Sequence, residues 1–268
     1  MASSTYYKDV EIGNLYYGPV RTNKETGSKN VYVSTKQGSS DRNDNLCFQL
    51  SKMQDSLPRA VFGVETPMAG GDEFKRGLCL SIETQELECF FKALDERNLD
   101  EVSRRSEEFF GKQLSRETIE EKYSGIYRPS PKPGELAPLV KVKIIVEDPA
   151  RRTMTPTCIY EVKEVIDPCP EYPNGHIDYE PCDYASIQKG NRILAIVTTS
   201  GLWKSAAGFG MSLVATQILV WKNAAKRGMD AFDLGGYSVG TFRGQPRQKV
   251  LGGDFMKEDD FMEEDDCV

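Results

Sequence analysis

The chain predicts a mainly β fold, an antiparallel barrel interrupted by a helical insertion and followed by an acidic, disordered tail. Three observations carry this. Short apolar runs punctuated by turn residues recur through residues 10–82; apolar residues switch to helical spacing in 83–123; and two long β-branched runs flank a Gly-rich decapeptide at 201–210.

The last feature organises the rest. Tyr184 to Met229 holds six Lys or Arg residues and no Asp or Glu. Ile193 to Thr199 and Met211 to Trp221 read as the two arms of a β-hairpin, with Trp203 beside Lys204 at its tip.

Residues 1–82 form the first half of the barrel. Val10 to Val20, Lys29 to Thr35, Leu46 to Leu50, Ala60 to Val64 and Gly77 to Ile82 are its short strands. Residues 83–127 form an acidic insertion. Leu87, Phe90, Phe91 and Leu94 fall at i, i+3, i+4 and i+7 behind Thr84 as N-cap; Asn98 with Glu101 opens a second helix, and Ser115 caps a third. Twelve acids against seven bases in 83–123 place this insertion on the far side of the sheet from any polyanion.

Residues 128–229 form the second half of the barrel. Arg128 to Gly134 is a proline-rich loop, Leu139 to Glu147 a strand with Lys141 and Lys143 on one face, and Thr157 to Ile166 a strand carrying Tyr160 beside Lys163. Residues 164–183, with four prolines, read as irregular loop. A basic, Gly-rich linker at 230–253 leads to the acidic tail at 254–268.

Charge is sorted along the chain. The net charge of −7 resides entirely in residues 254–268, while 184–253 carries +7. Such a pairing is typical of interaction tails that compete for a cationic groove.

Seven scattered cysteines without a Cys-x-x-Cys pair argue against a disulfide framework and for a reducing compartment. Met1 to Asp9 lacks an apolar core and no long apolar run occurs, so an intracellular protein without membrane segments is expected.

Catalysis finds little support. There is no phosphate-binding Gly-Lys loop, and His176 is the only histidine. Cys158, Cys169, His176 and Cys182 are zinc-ligand types, but their spacings match no tight knuckle. The expectation is a protein that is not an enzyme and needs no cofactor.

Single-strand nucleic-acid binding asks for cations and stacking rings. Candidates are Arg21, Lys24, Lys29, Tyr32, Lys36, Lys141, Lys143, Tyr160, Trp203, Lys204 and Phe209. In an OB-fold, a five-stranded barrel, the loops joining strands one to two and four to five flank the ligand. Arg21 to Lys29 and Gly201 to Gly210 are the basic segments matching them.

Gly201-Leu202-Trp203, then Phe209-Gly210-Met211-Ser212 and Gln217, resembles the final hairpin of the single-stranded DNA-binding OB-fold family of nucleocytoplasmic large DNA viruses. The plan of an OB core with an acidic end bearing Phe255 and Phe261 is also similar to phage single-strand binders. The chain departs from both phage and bacterial patterns at Asp265-Asp266-Cys267-Val268, which lacks their terminal phenylalanine.

The resemblance implies a sequence-independent single-stranded DNA-binding protein of viral replication, recombination or repair, at a cytoplasmic replication site or in the nucleus of the infected cell. It also implies a tail that regulates binding or recruits replication proteins, with Phe255 and Phe261 as partner contacts. RNA as a second ligand and a homo-oligomer stay open. The alternative is a β-rich interaction or structural protein whose acidic tail binds basic proteins.

Overall fold

The computed structural model describes residues 5–24, 26–36, 45–52, 56–67, 72–147, 155–166 and 175–222. All lie within the compact unit Met1–Ala224. The linker, the acidic tail, Phe255 and Phe261, and the loop residue Cys169 lie outside the described residues.

The strands are β1 (Thr5–Tyr6), β2 (Tyr16–Tyr17), β3 (Arg21–Thr22), β4 (Lys29–Val31), β5 (Val33–Ser34), β6 (Cys47–Gln49), β7 (Ala60–Glu65) and β8 (Lys75–Ser81). After helices α1 (Gln85–Arg104), α2 (Ser106–Phe110) and α3 (Arg116–Glu121) come β9 (Tyr123–Ser124), β10 (Tyr127–Arg128), β11 (Leu139–Ile145), β12 (Cys158–Ile166), β13 (His176–Pro181), β14 (Arg192–Lys204) and β15 (Phe209–Trp221).

Thirteen of the described strands join one sheet, well beyond the five expected, and β2 pairs separately with β5. Nor is the sheet purely antiparallel. β15 runs antiparallel to β14 but parallel to β9, β11 and β12. The main path runs β1-β6-β14-β15-β11-β8-β7. From β7 a bridge between Arg59 and Arg192 returns to the start of β14. It is reinforced by Ile193 N–H to Pro58 O at 2.8 Å, Ala60 N–H to Asn191 O at 2.9 Å and Gly190 N–H to Ala60 O at 2.7 Å.

This circuit corrects the assignment of the early strands. β7 and β8 enter it, whereas the segments before residue 50 flank β14 from the other side, through β4 and β6. The segment 10–20, expected as a strand, is instead a 3-10 turn at Ile12–Asn14 followed by the two-residue β2. His176–Pro181, expected as loop, forms an antiparallel pair with β12. Its alternating sequence is strand-like, and Pro181 costs no ladder bond because the bonded pair is the next one, Cys182 N–H to Ile159 O at 2.9 Å, which leaves the proline nitrogen facing the open edge.

The hairpin of β14 and β15 is the axis of the sheet. Inward residues Ile193, Ala195, Val197, Leu202, Met211, Leu213, Ala215, Ile218 and Val220 are buried. Burial of such apolar area stabilises by about 25 cal/mol per Å². Residues 201–204, expected in the tip loop, belong to β14, so the tip shrinks to 205–208. A bulge between Thr199 and Leu202 absorbs one extra residue, setting Ser200 and Gly201 against Ser212 alone. Gly201 makes this possible at φ +75, where a Cβ would lie 2.3 Å from Val31 O.

Helix α1 has its N-cap at Thr84, whose side chain accepts from Leu87 N–H at 3.3 Å, and Ser115 caps α3 through Thr118 N–H. Asn98 opens no second helix. It sits inside the 20-residue α1, fully buried, because it accepts from Tyr17 Oη at 2.9 Å and donates to Tyr123 Oη at 3.1 Å. Phe90 and Phe91 pack on Phe48, and Phe110 on Phe209, all against the inward face. Helices α1 and α2 therefore cover the inward face, whereas the end of α3 and β9 bring Glu121, Lys122 and Ser124 beside Trp203, so the acidic insertion is not confined to the far side of the sheet.

Candidate nucleic-acid interface

Successive residues of a strand point to opposite faces, so register decides which candidates meet. On the hairpin the outward, half-open positions are Trp203 and Ser212, Thr198 and Val214, then Ile196 and Gln217. β11 extends this face. Val142 pairs with Leu213 and Lys143 with Val214, while Lys141 and Lys143 alternate with buried Val140, Val142 and Ile144. On the other side, Asn30 of β4 lies beside Trp203, and Arg21 of β3 beside Asn30.

The Trp203 indole N–H donates to Ser212 Oγ at 3.1 Å, which lays the ring against Gly210 on the outer face. Both its hydrogen bond and one ring edge are thus satisfied by the protein, while the side chain stays half-exposed. The Arg21 guanidinium stands over the Tyr32 ring at 4.8 Å. Tyr160 contacts Tyr179 edge-on, with centroids 5.2 Å apart, beside a groove lined also by Gln49, Gln217, Leu194 and Leu219. Tyr179, 52% exposed, escaped the sequence because its segment read as loop; the alternation of 176–181 was the signal available.

The cations differ in availability. Lys141 pairs with Glu65 over Gly77, and that carboxyl is held below the usual range chiefly by this bond. Cys79 donates its thiol to the same carboxylate at 3.2 Å. Lys75 pairs with Asp72 at 2.9 Å. Among the described residues no acid pairs with Lys143. Burial, then the neighbouring Lys75 and Lys141, push its ammonium below the ordinary lysine value.

Other candidates fall elsewhere. Lys204 and Lys29 face each other across β14 and β4 on the helix side; Lys204 lies 6.0 Å from the Phe110 ring and Lys29 donates to Glu108 O. The sequence neighbours Trp203 and Lys204 therefore face apart. Phe209 is a core residue, 0% exposed between Phe110 and Tyr123, and makes no surface contact. Lys24 is exposed in the turn between β3 and β4, and Lys36 just past β5, neither of them on a strand of the face.

The zinc-type residues are also separated. His176 pairs with Ile166 at one end of the β12-β13 ladder, and Cys182 and Cys158 sit at the other, about 20 Å away at 3.3 Å per residue. No single ion reaches all three.

Among the described residues no helix is long and apolar enough to cross a membrane.

No family model matches this chain, and no curated protein does. Among solved structures, it is similar to the crystal structure of gp2.5, a single-stranded DNA-binding protein encoded by bacteriophage T7. The TM-score is 0.40 at 12% identity, over 66% of this chain and 92% of that one. A likeness of that size carries no functional inference.

Proposed function

We propose that this chain binds single-stranded DNA, without sequence preference and without catalysis, on the outer face of the β14-β15 hairpin and its neighbours. The observation that carries this is one of register. Arg21 with Tyr32, Trp203, Lys141 and Lys143 fall on the same side of adjacent strands, while helices α1 and α2 pack against the other. Rings supply sequence-tolerant stacking and lysines meet the backbone phosphates.

The circuit β14-β15-β11-β8-β7 with its return at Arg59 and Arg192 supports an OB-type barrel. In it, the tip at 205–208 is the loop joining strands four and five. The segment 21–29, expected as the loop joining strands one and two, lies between β3 and β4, outside that circuit. The viral family named by the hairpin motif, a role in replication, recombination or repair inside the infected cell, and a tail at 254–268 that competes for the face or recruits partners belong to the same proposal.

The test is a titration of Trp221→Phe protein, whose remaining indole is Trp203, with oligo-dT at low salt. Quenching is expected, with tighter binding once residues 254–268 are deleted. Unchanged fluorescence together with no shift in the anisotropy of labelled oligo-dT would refute the assignment.

A further inference from the structure

Phe62 is 67% exposed, the most open of the large apolar side chains among the described residues. Its exposure is built in. Ala60 faces Leu80 and Val64 faces Leu78, so Val61, Phe62 and Gly63 together oppose the single residue Cys79. Two surplus residues bow β7 outward, a device that re-aims a side chain at the expense of ladder hydrogen bonds. Gly63 turns the bow at φ +80, a conformation that favours glycine, and a Cβ there would crowd Ile187 O at 3.1 Å.

The bulge lies next to the proposed interface. On its other side Cys79 pairs with Lys141, which puts the bulge about 10 Å, two strand spacings, from the Lys141 row. Lys143 and Lys75 follow that row on one side, two and four residues further along the ladder. No other exposed large apolar residue lies on β7 or β8; Leu136, Val165 and Tyr179 belong to other segments. A lone ring two strands from Lys141 is far too small for a protein interface, which needs hundreds of Å² per partner. It suits one flat base whose phosphates reach the lysines.

We infer that Phe62 is a stacking platform for an unpaired base at the β7 end of the face, opposite Trp203. This rests on the single-strand binding proposed above and adds a contact to it.

Phe62→Ala, Phe62→Leu and Phe62→Trp are compared with the unaltered full chain by anisotropy of labelled oligo-dT over a range of salt. One lost stack lowers affinity about 5- to 150-fold at unchanged salt slope. Alanine and leucine should show that loss, and tryptophan should restore binding and add an indole that oligo-dT quenches. Equal affinity of the alanine variant and the unaltered chain overturns the inference while leaving single-strand binding intact. Absence of binding by the unaltered chain removes both. Leucine binding as well as phenylalanine, or a Phe62-dependent self-association seen by sedimentation, assigns the residue to apolar protein contact and also overturns it.

Discussion

Trp203 Nε1 donates to Ser212 Oγ at 3.1 Å across the β14-β15 hairpin, and this bond fixes the indole against the sheet's outer face. In the proposed interface the ring would serve as a platform ordered before any ligand arrives. Trp203→Ala should lower affinity for oligo-dT by about 1–3 kcal/mol with little change in salt slope. Ser212→Ala should cost about 0.5–1.5 kcal/mol of stability and shift the indole emission. Anisotropy and chemical unfolding read the two effects.

Lysines on the two faces should separate in a salt titration. Lys143→Gln removes a cation from the proposed face, lowering the slope of log affinity against log salt by about 0.7. Lys29→Gln and Lys204→Gln, on the helix side, should leave that slope unchanged.

A proton should be taken up on binding. Burial beside Lys75 and Lys141 holds the Lys143 pKa below the ordinary lysine value, so at alkaline pH part of the free protein has it neutral. A bound phosphate favours the ammonium and raises that pKa. Affinity should fall as pH rises through the depressed value, with proton uptake visible by calorimetry in buffers of different ionisation enthalpy. Lys143→Gln should abolish this component.

Phe209→Ala should act on stability. The ring is fully buried between Phe110 and Tyr123, and its truncation should cost about 3–5 kcal/mol. Denaturant midpoints measure this. An affinity loss without destabilisation would restore Phe209 to the surface.

Asp95 ties α1 to the segment before β10. Its carboxylate accepts from Ile126 N–H at 3.0 Å, Tyr127 N–H at 2.9 Å and Tyr123 Oη at 2.7 Å. Asp95→Ala orphans these donors, at a cost of about 1–3 kcal/mol. Burial raises the Asp95 pKa despite those bonds, so the folded state holds its proton more tightly than the unfolded chain. The stability gap between the unaltered chain and the variant should therefore widen as pH falls through the raised value. Urea unfolding at several pH values reads it.

Local chemistry was legible in the sequence. Alternation announced β11, β12 and the arms of the hairpin, and Thr84 and Ser115 announced two helix starts. Each of these signals is set within one or two turns of chain or a single strand. What tertiary structure alone decided is which side each residue faces and what lies beside it. Trp203 and Lys204 are adjacent in sequence yet face apart, Phe209 is claimed by Phe110 from a helix a hundred residues earlier, and Phe62 is left exposed in a bulge that exists only against β8. Face and exposure follow from register between distant strands, and register is chosen by the burial of the whole inner face at once.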